Sequence, residues 1–346
     1  VLADNAAQVG AAQARRRWPV LPIQDMTHPP SSSSPPPTAS ATAGTDAAKR
    51  FRSFTAREGR AAGIVVASAY GADRVRERGQ LAAAQWAMAA GADGFEVRAE
   101  LLPPEWRDRD ATAFAGALAA MPGSVGFALV YSTPAEFFGE DGLPSVATVG
   151  RALREAQAFG AIALKLQLGP FDAPGRQQPA DSDARAVAAA SGRRASATWA
   201  AHWSSAMDAV ADVLRRAPVR VFVENGQSAV GGSRADFEAL FASLRANEAW
   251  RGAFGMTLDI GNWYWAGDDT ASACASLARH VEYVHCKGVQ IRDDRYHAVA
   301  PDEGIGPWRD WVAALPPALP RGLEFPIVGA DPVAATRDAL RAVLRD

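Results

Sequence analysis

The sequence predicts a single (β/α)8 TIM barrel, α/β in class, preceded by an unstructured extension. From residue 63 onward, short apolar runs alternate with amphipathic stretches rich in alanine and leucine. There are eight such runs, and with their helices they fill roughly 280 residues, the size of one barrel. No G-x-G-x-x-G follows the first run, which removes the main support for the alternative, a doubly wound dinucleotide-binding sheet.

The runs come in order. GIVVASAY (63–70) opens the series, followed by GFEVRAELL (94–102), VGFALVY (125–131) and IALKLQL (162–168). The second half supplies VRVFVEN (219–225), GMTLDIGN (255–262), VEYVHCKG (281–288) and GLEFPIVG (322–329). Between them lie helical stretches such as GQLAAAQWAMAAG, SVATVGRALREAQAFG and SRADFEALFASLRAN. This strand–helix alternation is the pattern of parallel βα units.

Ahead of the barrel, residues 1–61 are a different material, and 62–346 form the expected folded domain. HPPSSSSPPPTASATAG (28–44) has no periodic apolar positions and cannot bury enough surface to offset its chain entropy. The residues before it lack the order of a signal peptide, RRRW has no long apolar stretch behind it, and Met26 is a candidate translational start. The whole extension is expected to be dispensable.

A net charge of −2 gives no general attraction to nucleic acid or anionic membrane, and no apolar run has the length of a membrane span. Two cysteines, Cys274 and Cys286, are too few for a disulfide framework or a cysteine-ligated zinc site; they fit a cytoplasmic protein.

In a barrel the strand C-terminal ends form the working face. Glu224 ends the fifth run, Asp259 the sixth and His285 the seventh, and Glu324 lies in the eighth. Singly, each reads as a cap, a salt-bridge partner or a core residue. On four successive strands they make a divalent-metal site, because three crowded carboxylates repel without a cation. Three hard oxygens and one imidazole suit Mn²⁺, Mg²⁺ or Co²⁺, with Zn²⁺ and Fe²⁺ also admitted.

The order Glu (VEN), Asp (DIGN), His (VHCK), Glu (LEFP), at spacings of 35, 26 and 39 residues, resembles the xylose isomerase-like superfamily of TIM barrels. Within it the chain is most similar to the sugar phosphate isomerase/epimerase group with the ketose 3-epimerases. PDEGIGPWRDW (301–311) resembles that family's glycine-rich loop after strand seven, and GADGFEVR (91–98) its second strand. AYGADRVRERGQ, EVRAELL and DIGNWYWAGDD also resemble epimerases encoded with 2-ketogluconate utilisation.

The resemblance implies that Glu224, Asp259, His285 and Glu324 hold one divalent ion. It also implies that Glu224 and Glu324 act as catalytic acid and base in an enediolate mechanism on a keto sugar or sugar acid. A dehydratase of the keto-inositol or dehydroshikimate type, and a non-catalytic carbohydrate-binding barrel, are the competing readings. The expected partner is a small molecule, with no nucleic acid and no membrane; a homo-oligomer is compatible. The histidine-rich set of the three-metal DNA-repair branch is missing, since only His28, His202, His280, His285 and His297 exist and none lies on strands one to four.

Other mouth residues follow from the two-residue strand period. Glu96 and Arg98 share a face, as do Lys165 and Gln167, and His285 and Lys287. The three cations Arg98, Lys165 and Lys287 suggest an anionic substrate, or else balance the neighbouring carboxylates. Asn262 stands where family epimerases often carry a histidine, three residues after the metal aspartate. Trp263 and Trp265 could wall a sugar pocket or pack against the next helix; Cys286 is expected to be an inert core thiol.

Overall fold

The computed structural model of the protein describes residues 47, 49, 51, 62–171, 197–227 and 231–344. Eight parallel strands close into a barrel: β1 (Ile64–Val66), β2 (Gly94–Arg98), β3 (Ala128–Glu136), β4 (Ala163–Gln167), β5 (Arg220–Glu224), β6 (Gly255–Asp259), β7 (Val281–Cys286) and β10 (Arg321–Leu323). Each pairs in parallel with its sequence neighbour, and β1 closes on β10 through Val65 opposite Gly322. The eightfold expectation holds.

The helices cover the outside. Ser145 caps the helix Val146–Ala158 by accepting from Thr148 N–H, and Ser233 caps Arg234–Ala246 by accepting from Asp236 N–H. The helix Ala197–Arg216 buries Trp203, Met207, Val210, Ala211 and Leu214, one stripe at helical spacing. Each large apolar side chain buried in this way contributes about 1.5–3 kcal/mol. No helix among the described residues is long and apolar enough to cross a membrane.

The strand bounds differ from the expected runs for identifiable reasons. β1 stops at Val66 because Ser68 turns into the left-handed region, at φ 47. β3 starts three residues late, because Gly123 and Gly126 form a turn at positive φ and Val125 is 91% exposed. β10 ends at Leu323, so Glu324 follows the strand rather than lying within it.

Beyond β7 the chain makes a hairpin that the sequence reading did not anticipate, β8 (Gly288–Arg292) against β9 (Arg295–Val299). Its two turn residues, Asp293 and Asp294, have φ of 49 and 56, the left-handed pair that matches strand twist in a two-residue turn.

Most of the expected extension, residues 1–46 and much of 48–61, lies outside the described residues. Three residues ahead of position 62 are described. Ala47, Lys49 and Phe51 are helical, and Phe51 is wholly buried with Val65, Val130, Ala163, Phe222 and Tyr283.

Candidate metal centre

Alternation along the strands sends every second side chain into the barrel. On β5 this aligns Phe222 and then Glu224; on β7, Tyr283 and His285, with Lys287 just past its end; on β6, Thr257 and Asp259. The register places Asp259 beside His285 and Gln167 beside Glu224. The apolar layer is therefore low in the barrel and the polar layer sits at the strand ends.

One ligand atom each from Glu224, Asp259, His285 and Glu324 lies within 4.8 Å of the others. The structure brings together the four residues that the spacing singled out. Nδ1 of His285 is 2.8 Å from Oε1 of Glu224, 3.2 Å from Oε2 of Glu324 and 3.9 Å from Oδ2 of Asp259. Yet Glu224 Oε1, Asp259 Oδ2 and His285 Nδ1 are all buried and make no aligned hydrogen bond among the described residues. Glu224 Oε1 and His285 Nδ1 face each other, Asp259 Oδ2 faces the Lys287 ammonium at 2.8 Å, and the convergence of these atoms fits a shared cation.

The surrounding side chains hold the opposite faces of these ligands. Lys165 Nζ lies 2.8 Å from Glu224 Oε2 and 3.2 Å from Glu96 Oε1. Gln167 donates to the same Glu224 oxygen at 3.0 Å. Lys287 Nζ reaches Asp259 Oδ2 at 2.8 Å and Glu324 Oε2 at 3.0 Å. Behind the histidine, Glu96 Oε2 is 2.9 Å from His285 Nε2 and accepts from Tyr283 Oη at 3.0 Å. This is the carboxylate–histidine arrangement that fixes which ring nitrogen faces a metal.

Charge counting points the same way. Four buried or nearly buried carboxylates, Glu96, Glu224, Asp259 and Glu324, face two ammonium groups, Lys165 and Lys287. With His285 neutral, the cluster is short by two positive charges, which one divalent ion supplies. Without the ion the cluster holds protons. Burial, reinforced by Glu324, lifts Asp259 to about 7 against the opposing pull of Lys287. Burial alone would lower His285, but Glu96, Glu324 and Glu224 outweigh it and raise its affinity for a proton well above the ordinary imidazole range.

A cavity of about 400 Å³ opens above the cluster, lined by Ser68, Arg76, Arg98, Gln227, Lys287 and Glu324 among others. Of the four clustered residues, Glu324, at 14% side-chain exposure, is the one that lines this space.

A family model described as "Xylose isomerase-like TIM barrel" matches residues 84–343. The chain belongs to that family. Among curated proteins, none matches it in sequence. Several solved structures share its fold. A xylose isomerase domain-containing protein from Salmonella typhimurium LT2 is 14% identical at a TM-score of 0.52, covering 83% of this chain and 98% of that one. The 3-keto-D-glucoside 4-epimerase YcjR of E. coli is 14% identical at 0.50, covering 82% and 98%. Protein SMc04130 of Sinorhizobium meliloti 1021 is 17% identical at 0.50, covering 82% and 98%. At these identities the likeness is one of fold.

Within this xylose isomerase-like barrel, several expected mouth residues have partners in the protein. Lys165 and Lys287 are 2% and 5% exposed and lie against carboxylates, and Lys287 also lines the cavity. Arg98 lines the cavity while pairing with Glu100 at 2.7 Å. Asn262, expected to touch substrate, is buried and donates to the Asn225 carbonyl at 2.7 Å. Trp263, expected to wall the pocket, is fully buried edge-on against Phe237 and presents no surface to a ligand. It begins the short helix Trp263–Ala266. Trp265, two residues on, is the partly exposed aromatic, 6.0 Å beneath the Lys287 ammonium and in contact with Tyr296.

Two residues of the site escaped the sequence reading. Asn225, next to Glu224 in VEN, exchanges two hydrogen bonds with the Asp259 backbone. Tyr283, two before His285, shares its inward face. The two-residue period alone would have found Tyr283.

Proposed function

We propose that this protein is a divalent-metal-dependent isomerase or epimerase acting on a keto sugar or sugar acid. The observation that carries this reading is the convergence of His285 Nδ1 and three carboxylates within 4.8 Å, in a cluster two positive charges short. Glu224, Asp259, His285 and Glu324 are the residues that would hold the ion. When bound, it would polarise the substrate carbonyl and acidify the neighbouring C–H.

The protein's own groups then divide the work. Glu324, which borders the cavity, would take a proton from the carbon beside the carbonyl, giving an enediolate. Glu224 is the second acid–base group, kept ionised by Lys165, which overrides the effect of burial. Arg98 and Arg76 border the same cavity, where a sugar acid would place its carboxylate.

The test is a screen of Mn²⁺- or Co²⁺-loaded protein against keto sugars and sugar acids in D₂O, read by NMR. Deuterium at the carbon next to the carbonyl, with an epimeric or isomeric product, is the expected result. Loss of water with an ultraviolet-absorbing enone would reassign the site to a dehydratase. Sugar binding without metal or deuterium exchange would leave a carbohydrate-binding barrel.

A further inference from the structure

Phe51 precedes the barrel in sequence but lies wholly inside it. Its ring meets Phe222 with centroids 4.8 Å apart and Tyr283 at 5.9 Å, both edge-on. At this level the barrel also contributes Val65, Val130 and Ala163, side chains too small to fill its cross-section. A barrel interior is a packed core, and Phe51 supplies the missing volume.

The contact with Tyr283 leads upward to the metal ligands. Tyr283 Oη donates to Glu96 Oε2, and that oxygen also meets His285 Nε2. The Tyr283 and His285 rings stand edge-on with centroids 4.8 Å apart. On the neighbouring strand β10, in register with His285, Gly322 leaves the space that both rings occupy, since a Cβ there would lie 2.4 Å from Tyr283 Oη and 2.7 Å from His285 Cδ2. The far nitrogen of His285 then faces Glu224 and Glu324.

We infer that Phe51 is a positioning residue of the metal centre, acting through Tyr283 and Glu96 to hold His285 with Nδ1 toward the three carboxylates. The inference rests on the metal reading above. The Phe51 ring lies nearer Tyr283, at 5.9 Å, than the Phe222 ring does, at 6.3 Å, and it meets the tyrosine edge-on. A ring freed on that side loses its contacts outright, and its hydroxyl no longer stays at bonding distance from Glu96. Phe51, although it lies ahead of the barrel in sequence, is therefore part of the site's support.

The test is a Co²⁺ titration of the full chain, followed by visible absorption and calorimetry. The variants are Phe51→Leu, Phe51→Ala, Tyr283→Phe and the double variant Phe51→Leu/Tyr283→Phe. Tyr283→Phe keeps the ring and deletes only the bond to Glu96, and should weaken Co²⁺ binding by about 10–100-fold. Phe51→Leu should weaken it several-fold, and the double variant should bind about as well as Tyr283→Phe alone, because the route runs through the hydroxyl. If Phe51→Ala fails to fold, Phe51→Leu with a native far-ultraviolet spectrum carries the comparison. A folded Phe51→Leu that melts lower but binds Co²⁺ as tightly as the parent overturns the inference, as does full additivity in the double variant. If the parent chain itself binds no Co²⁺, the metal reading falls and takes the inference with it.

Discussion

Asn225 grips the backbone of Asp259 from both sides. Its Nδ2 donates to the Asp259 carbonyl at 2.9 Å, and its Oδ1 accepts from the Asp259 N–H at 2.8 Å. The side chain thus ties the ends of β5 and β6 at the point where two metal-capable carboxylates emerge. Asn225→Ala should leave two buried backbone groups unpaired, at about 1–3 kcal/mol each. Thermal melts should show a clear loss of stability, and Co²⁺ titration a weaker site; an unchanged melt would assign the pair no structural weight.

Gly322 is replaceable only at the expense of its neighbours. Gly322→Ala places a methyl against Tyr283 and His285, and overpacking of this kind costs about 1–3 kcal/mol. The expected result is a lower melting temperature together with weaker metal binding. A variant of native stability and affinity would show that the two rings can shift freely.

One divalent ion per chain should be recovered from protein purified without chelator. Removing it with EDTA should lower the melting temperature, and adding Mn²⁺ or Co²⁺ should restore it. At a hundredfold excess over the dissociation constant the gain is about 2.7 kcal/mol. Metal analysis that finds no ion, with no thermal shift on addition, rejects the metal centre.

Glu224→Gln and Glu324→Gln each keep an oxygen donor and remove a base. Turnover should fall about 10²–10⁴-fold while Co²⁺ stays bound. In D₂O, either single variant should exchange deuterium from one face without completing epimerisation. Normal turnover by both, with metal bound, would move the proton transfer to another group.

His280 gives the fold an acid sensitivity remote from the barrel mouth. Its ring stacks on Phe241 at 4.3 Å, and burial, with Arg245 and Arg279 nearby, lowers its pKa to about 4. The unfolded chain takes up that proton near the ordinary value of about 6.5. The stability contributed by the neutral ring is therefore complete above about 6.5 and is lost as pH falls toward about 4. Melts across this window should fall less steeply for His280→Phe than for the parent; parallel curves would contradict the assignment.

The barrel was legible because each strand carries its own signal. A short apolar run followed by an amphipathic stretch can be read locally, and eight repeats at the size of one domain leave few alternatives. The ligand set was legible for the same reason. Glu224, Asp259 and His285 end successive strands and Glu324 follows the next, so topology alone brings them to one mouth. The hairpin after β7 was missed because its turn carries no glycine, and Asp293 and Asp294 take the left-handed conformation unannounced.

The sequence by itself determined the fold class, the family and the four residues of the candidate metal centre, since all three follow from spacing along the chain. Only the tertiary structure decided what the neighbouring polar and aromatic residues do. Strand alternation turns Lys165 and Lys287 inward, and the structure shows which carboxylates their ammonium groups meet, Glu224 and Asp259 at 2.8 Å each. Trp263 is buried with its ring edge-on to Phe237, at 6.2 Å between centroids. Phe51 enters the barrel because small inward residues on three strands leave room for a ring, and no local pattern near residue 51 records a void formed by strands that follow it in the chain.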